Sequence, residues 1–183
     1  MTYYGAKELA ASFRTVRGNT IKIAEEIPEE QYGFRVTPET RSVAEMLAHL
    51  ALLPRMQKQI HFDQKLHTFV GYDFFPNMAK HTAEQKKPRS KAEILELLRT
   101  EGESFAQALE GASEAVLSER VEYPEGMMPP SKSRFEMLIG VKEHEMHHRA
   151  QLMVMERLLG ITPHLTRQMQ ERIAAVEAAK AAH

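Results

Sequence analysis

The segment His144-Glu145-Met146-His147-His148-Arg149-Ala150-Gln151 gathers most of the groups in this chain that could do chemistry. His144 and His148 are four residues apart. On a helix that spacing places two imidazoles on one face, one turn apart, where they can share a metal ion. Leu138, Val141, Leu152, Met155 and Leu159 turn the same segment toward an apolar interior, where an unpaired polar ring is costly. A third histidine, His49, falls on the stripe Met46, His49, Leu50, Leu53, Met56 and Ile60 of an earlier segment. By itself His49 reads as a satisfied core residue. Set against an inward pair on another helix, it completes a facial triad. Such a triad leaves coordination positions open, which is the catalytic rather than the structural pattern of zinc.

Three chemistries compete for this cluster. His144-Glu145-Met146-His147-His148 matches H-E-x-x-H, the zincin signature in which the glutamate is general base. Zincins set that helix beside a sheet, and no sheet is legible here. Glu145 and His148 form a Glu-x-x-His, but the second copy that a di-iron carboxylate bundle needs is missing. A mononuclear three-histidine site in a bundle fits best. Glu45, one turn before His49, and Glu145 are weak candidates for a base. The plainer reading makes Glu45 a helix-cap partner and Glu145 a solvated or ligand-orienting charge. His147, Arg149 and Gln151 are candidates to hydrogen-bond the ligands from behind. His61, His67, His81, His164 and His183 read as surface residues.

The elements that must position these groups are helices with legible starts. Ser42-Val43-Ala44-Glu45, Ser90-Lys91-Ala92-Glu93 and Ser133-Arg134-Phe135-Glu136 are capping boxes, each followed by an apolar-periodic run. Thr162-Pro163 is a further start. The pattern predicts helices over about 4–27, 42–68, 90–111, 133–159 and 162–181, with Pro54 kinking the second. The long stretch 69–89 reads as a loop, and 121–132 as a small hairpin or a flap bearing Met127 and Met128. Tyr72, Phe74, Phe75, Met127 and Met128 could wall a metal pocket or a dimer contact. The expectation is one all-α domain spanning 1–183, with a four-helix-bundle core of about 4–160 and an additional C-terminal helix.

Composition narrows the function. The 183 residues carry 24 Lys+Arg against 25 Asp+Glu, a formal charge of -1, so no electrostatic footprint for nucleic acid is present. There is no cysteine, which excludes disulfides, thiolate zinc sites, iron–sulfur clusters and a cysteine nucleophile in this chain. A transition metal would be held by nitrogen and oxygen, and there are nine histidines to supply it. No run approaches the ~18 apolar residues of a membrane span. Lys7 and Glu8 interrupt the place where a signal peptide would be apolar, so a cytoplasmic location is expected.

The string His144-Glu145-Met146-His147-His148-Arg149-Ala150-Gln151 resembles the H-x-x-H-H-R-G/A-Q motif of the DinB/YfiT-like superfamily of metalloenzymes. Ser42, Glu45 and His49 resemble that family's S-x-x-E-x-L-x-H-L. Two departures are Ala150, where glycine is commoner, and the helix beyond Gly160. The resemblance implies an up-down-down-up bundle with one divalent metal, nickel or zinc, on His49, His144 and His148, with His147 a neighbour rather than a ligand. It also implies a homodimer and a small-molecule substrate. The implied activities are thiol-dependent S-transfer, with a low-molecular-weight thiol as cosubstrate, or hydrolysis of a small electrophile. A non-enzymatic stress-related metal-binding protein is the alternative.

Overall fold

A serine hydroxyl that accepts the third helical amide, and a glutamate that returns the bond to the serine amide, satisfy two of the donors a helix start leaves open. The computed structural model of the chain, which describes residues 4–181, forms that reciprocal pair at Ser42/Glu45, Ser90/Glu93 and Ser133/Glu136. The elements are α1 (Ala6–Glu26), α2 (Val43–Lys58), α3 (Phe74–Gln85), α4 (Lys91–Glu110), α5 (Glu114–Ser118), β1 (Arg120–Glu122), β2 (Ser131–Ser133), α6 (Arg134–Leu158) and α7 (His164–Ala181). The strands β1 and β2 pair antiparallel as the small hairpin, with Arg120 opposite Ser133. No helix among the described residues is long and apolar enough to cross a membrane. His183 lies outside the described residues.

The four long helices α1, α2, α4 and α6 bury two apolar clusters, one at each end of a bundle. One joins Ile23 and Ile27 of α1, Val43, Leu47 and Leu50 of α2, Ile94 and Leu98 of α4, and Leu152 and Met155 of α6. The other joins Leu9 and Phe13, Phe105 and Leu109, Leu138 and Val141, with Phe62 packed against it from beyond α2. The C-terminal ends of α1 and α6 therefore meet the N-terminal ends of α2 and α4. The order is up-down-down-up, and α2 and α4 are parallel. Ion pairs along the antiparallel α1–α4 seam agree: Arg14 binds Glu103 near one end and Arg99 binds Glu25 near the other. Each fully buried Leu or Phe in these clusters contributes about 1.5–3 kcal/mol of transfer free energy.

Parallel α2 and α4 oblige the chain to return along the bundle between them. The return segment was expected to be a loop; it carries α3. The second helix was expected to reach about residue 68. Regular α-helix ends at Lys58 and passes into a π-turn, Gln59–Asp63. Helix α2 runs through Pro54, where a kink was expected. Proline lacks the amide that would bind the Leu50 carbonyl, and Arg17 of α1 donates to that carbonyl instead, from NH2 at 2.8 Å. The last helix starts at His164, with the Pro163 carbonyl accepting from the Thr166 and Arg167 amides. Along α7, Met169, Ile173 and Val176 are exposed.

Candidate metal centre

Helices α2 and α6 bring the three predicted histidines together. One ring nitrogen from each of His49, His144 and His148 lies within 4.8 Å of the others. His49 Nε2 and His144 Nε2 face each other at 2.7 Å. The ring centroids are 5.0 Å apart for His49–His144, 4.9 Å for His49–His148 and 4.4 Å for His144–His148. His49 and His148 are buried and His144 is half-buried. Burial, then the Arg41 charge, pushes His49 down to about 3. Burial, then His148, pushes His144 down to about 4, and burial also lowers His148. At neutral pH all three rings are thus neutral and carry a lone pair, the form in which imidazole binds a metal.

The groups around the triad suit that role. His148 Nδ1 lies 2.7 Å from Gln151 Oε1. With that oxygen accepting, the proton sits on Nδ1 and the Nε2 lone pair faces the centre. Gln151 Nε2 lies in turn 3.3 Å from Nε2 of the exposed His147, so the two residues form a relay behind His148. Arg149 makes no hydrogen bond to the triad among the described residues; it is half-buried, and burial lowers its pKa. Buried Gln85, from α3, lies against His49. His49 Nδ1 is itself buried without a partner among the described residues. A convergent, neutral, nitrogen-only donor set fits a borderline divalent cation such as zinc or nickel.

Two cavities reach the triad. A polar one of about 970 Å³ is bordered by His148 and Gln151 together with Arg35, Arg41, Glu45, Gln85 and Lys86. A smaller one of about 290 Å³ reaches His144 and shares Gln57, Tyr123 and Met137 with an apolar cavity of about 580 Å³. Phe74, Phe75 and Met127 of the apolar cavity are among the residues expected to wall a pocket.

Glu45 is the cap partner: its Oε2 accepts from the Ser42 amide at 3.0 Å, and its Oε1 binds Arg35 at 2.6 Å. Glu145 was expected as a solvated or a ligand-orienting charge, and it is not solvated. It is 1% exposed, and its two oxygens accept from Arg17 Nε at 2.9 Å and Arg17 NH2 at 2.8 Å. Arg17 also donates from NH1 to the Leu98 carbonyl at 2.8 Å. Gly102 makes room for it, since a Cβ there would lie 2.9 Å from Arg17 Cγ. A carboxylate held in this way is not available as a zincin base, and the described residues contain only a two-stranded sheet of three-residue strands.

Two other histidines depart from the surface expectation. His61 is 0% exposed, beside Arg134, and burial pushes it down to about 4. His164 is 4% exposed, with Nε2 3.2 Å from Asn19 Oδ1. His81 is half-buried and His67 exposed. Sequence reasoning missed Arg17, Arg41, Gln85, Lys86 and Gly102. Arg17 did carry a signal, because it interrupts the inward stripe Phe13, Val16, Thr20 and Ile23.

An up-down-down-up helical bundle with three inward histidines on its second and last long helices defines a class of metal-binding proteins. The chain belongs to the DinB family, which it matches over residues 1–175. It is similar in structure to a DinB-like protein, YjoA, from Bacillus subtilis, with a TM-score of 0.62 and 19% identity, covering 85% of this chain and 94% of that one. It is also similar to YfiT from Bacillus subtilis, described as a probable metal-dependent hydrolase with an unusual four-helix bundle topology. There the TM-score is 0.66 and the identity 13%, covering 88% of this chain and 91% of that one. No curated protein matches the chain.

Proposed function

We propose that the chain is a mononuclear metal-dependent enzyme of the hydrolase type, acting on a small molecule, with His49, His144 and His148 holding one divalent ion, zinc or nickel. The carrying observation is that three neutral imidazoles converge where the 970 Å³ cavity reaches His148. A bound divalent ion would supply Lewis acidity, lowering the pKa of a water and polarising a substrate carbonyl. Gln151 fixes the His148 tautomer, and the neighbouring cavity admits substrate. The open cavity favours catalysis over a non-enzymatic metal-binding role, in which packed side chains would close the histidines off.

A second reading, transfer from a low-molecular-weight thiol, is favoured by the approach from two sides. The larger cavity reaches His148 and the smaller one reaches His144, which leaves room for two reactants at the centre. The chain has no cysteine, so that sulfur would come from the cosubstrate. Elemental analysis of untagged protein tests the metal: about one ion per chain is expected, falling to near zero in His49→Ala and His148→Ala. Unchanged content in both variants would remove the triad as ligand set. Assays on the metal-loaded protein separate the reactions. Hydrolysis of simple esters or amides without thiol supports the first reading, and turnover of a generic electrophile only with thiol replaces it by the second.

A further inference from the structure

The apolar cavity of about 580 Å³ contains none of the three histidines, and its walls come from separate parts of the chain. Met56 is supplied by α2, Met78 by α3, Met127 by the loop between β1 and β2, and Met137 by α6. Methionine is unbranched and polarisable, so a wall built from it adapts to the shape of what it holds. The aromatic part of the wall is fixed in advance. Phe69 stacks on Tyr123, with ring centroids 5.7 Å apart and planes at 18°, and meets Tyr72 edge-on at 5.4 Å. The backbone pins these rings: the Phe69 amide donates to the Glu122 carbonyl at 2.8 Å, and the Glu122 amide donates to the His67 carbonyl at 3.0 Å. Among the described residues no cation lines the cavity, and its one carboxylate, Asp73, is exposed. Phe74, Phe75 and Met127 stand exposed at the same cavity. Water against such walls finds few hydrogen-bond partners, and an apolar group that displaces it gains free energy.

We propose that this cavity is a binding site for the uncharged, apolar part of a small molecule, an aromatic ring or a short alkyl chain. An apolar cavity of ~150 Å³ already takes a benzene, so this one has room for a larger ring or chain. Its size and concavity fit a small molecule rather than a flat partner surface, since ligand pockets are mostly apolar clefts of ~300–1,000 Å³. Gln57, Tyr123 and Met137 also line the smaller cavity that reaches His144, so the site adjoins the centre. It is built without the histidines and needs no metal.

The test is calorimetric titration of the metal-free full chain with 1-butanol, 1-hexanol and 1-octanol. Affinity is expected to rise about ten- to twentyfold for each added pair of methylenes. The series is repeated on Phe74→Ser/Met127→Ser, which changes only exposed side chains, and on Val176→Ser, an exposed apolar residue of α7. Affinity for 1-octanol is expected to fall about tenfold in the first variant and to stay unchanged in the second. Affinity that is flat along the series, or equal in all three proteins, overturns the proposal. Sedimentation velocity on the same samples covers the competing occupant. A wild-type dimer that binds no alkanol, and that becomes a monomer in Phe74→Ser/Met127→Ser, overturns the small-molecule site in favour of a contact between two copies of the chain. The protein is metal-free throughout, so the result stands whatever elemental analysis gives for the triad.

Discussion

Arg17–Glu145 and the three histidines both place polar groups inside an apolar bundle, and they are satisfied in opposite ways. Around Arg17 the network is closed. Its guanidinium donates to both Glu145 oxygens and to the Leu50 and Leu98 carbonyls, and both side chains are almost completely buried. Around the histidines the network is open. Two Nε2 atoms confront each other at 2.7 Å, and a large cavity adjoins His148. Glu145 follows His144 directly in sequence, yet the helix turns the two residues into different networks. A closed buried ion pair joins helices, whereas open convergent donors await a ligand.

The strongest way to break this comparison is to remove one member of each cluster. Arg17→Met leaves Glu145 buried and unpaired and is expected to cost about 3–5 kcal/mol in urea unfolding. His148→Ala, measured on metal-free protein, is expected to change stability by less than about 1 kcal/mol while eliminating metal. Similar losses in both variants would erase the distinction. A smaller effect sharpens it: Gln151→Ala should weaken metal affinity about ten- to a hundredfold in a competition titration with a chelator, and leave metal-free stability in place. Undiminished affinity would show that the Gln151–His148 bond does not orient the ligand.

The smallest effect concerns a third buried polar group. Glu156 is fully buried, with both oxygens unpartnered among the described residues, and burial, reinforced by Glu26, pushes its pKa up to about 7. A carboxyl whose folded-state pKa is raised stabilises the fold below its unfolded value near 4.5, and that contribution is lost as pH rises to about 7. Glu156→Gln should therefore be more stable than wild type by about 1–3 kcal/mol at pH ~8 and nearly equal to it at pH ~5, by urea unfolding. A difference independent of pH would mean that Glu156 is not neutralised by its surroundings.

Much of this architecture is written locally. Three capping boxes mark three of the long helices, and the four-residue spacing of His144 and His148 marks the site. Other parts depend on tertiary context. Helix α3 has only Gln85 buried and no side-chain capping hydrogen bond at Asp73, so no capping signal marks its start. His61 lies in a π-turn, where the 3.6-residue count used to place it no longer applies. The inward course of Glu145 follows from the spacing of Val141, Glu145, His148 and Leu152, but its partner lies on α1, and no spacing within α6 points there.

The parallel course of α2 and α4 has a consequence for how new specificities could arise. The chain that must travel back between these helices supplies Phe69, Tyr72, Phe74 and Met78 to the apolar cavity and Thr82, Gln85 and Lys86 to the polar one. None of the three histidines and none of the Arg17 network belongs to it. Exchanging side chains on this return segment would reshape what approaches the centre from either side, while the helices that carry the three histidines stay the same.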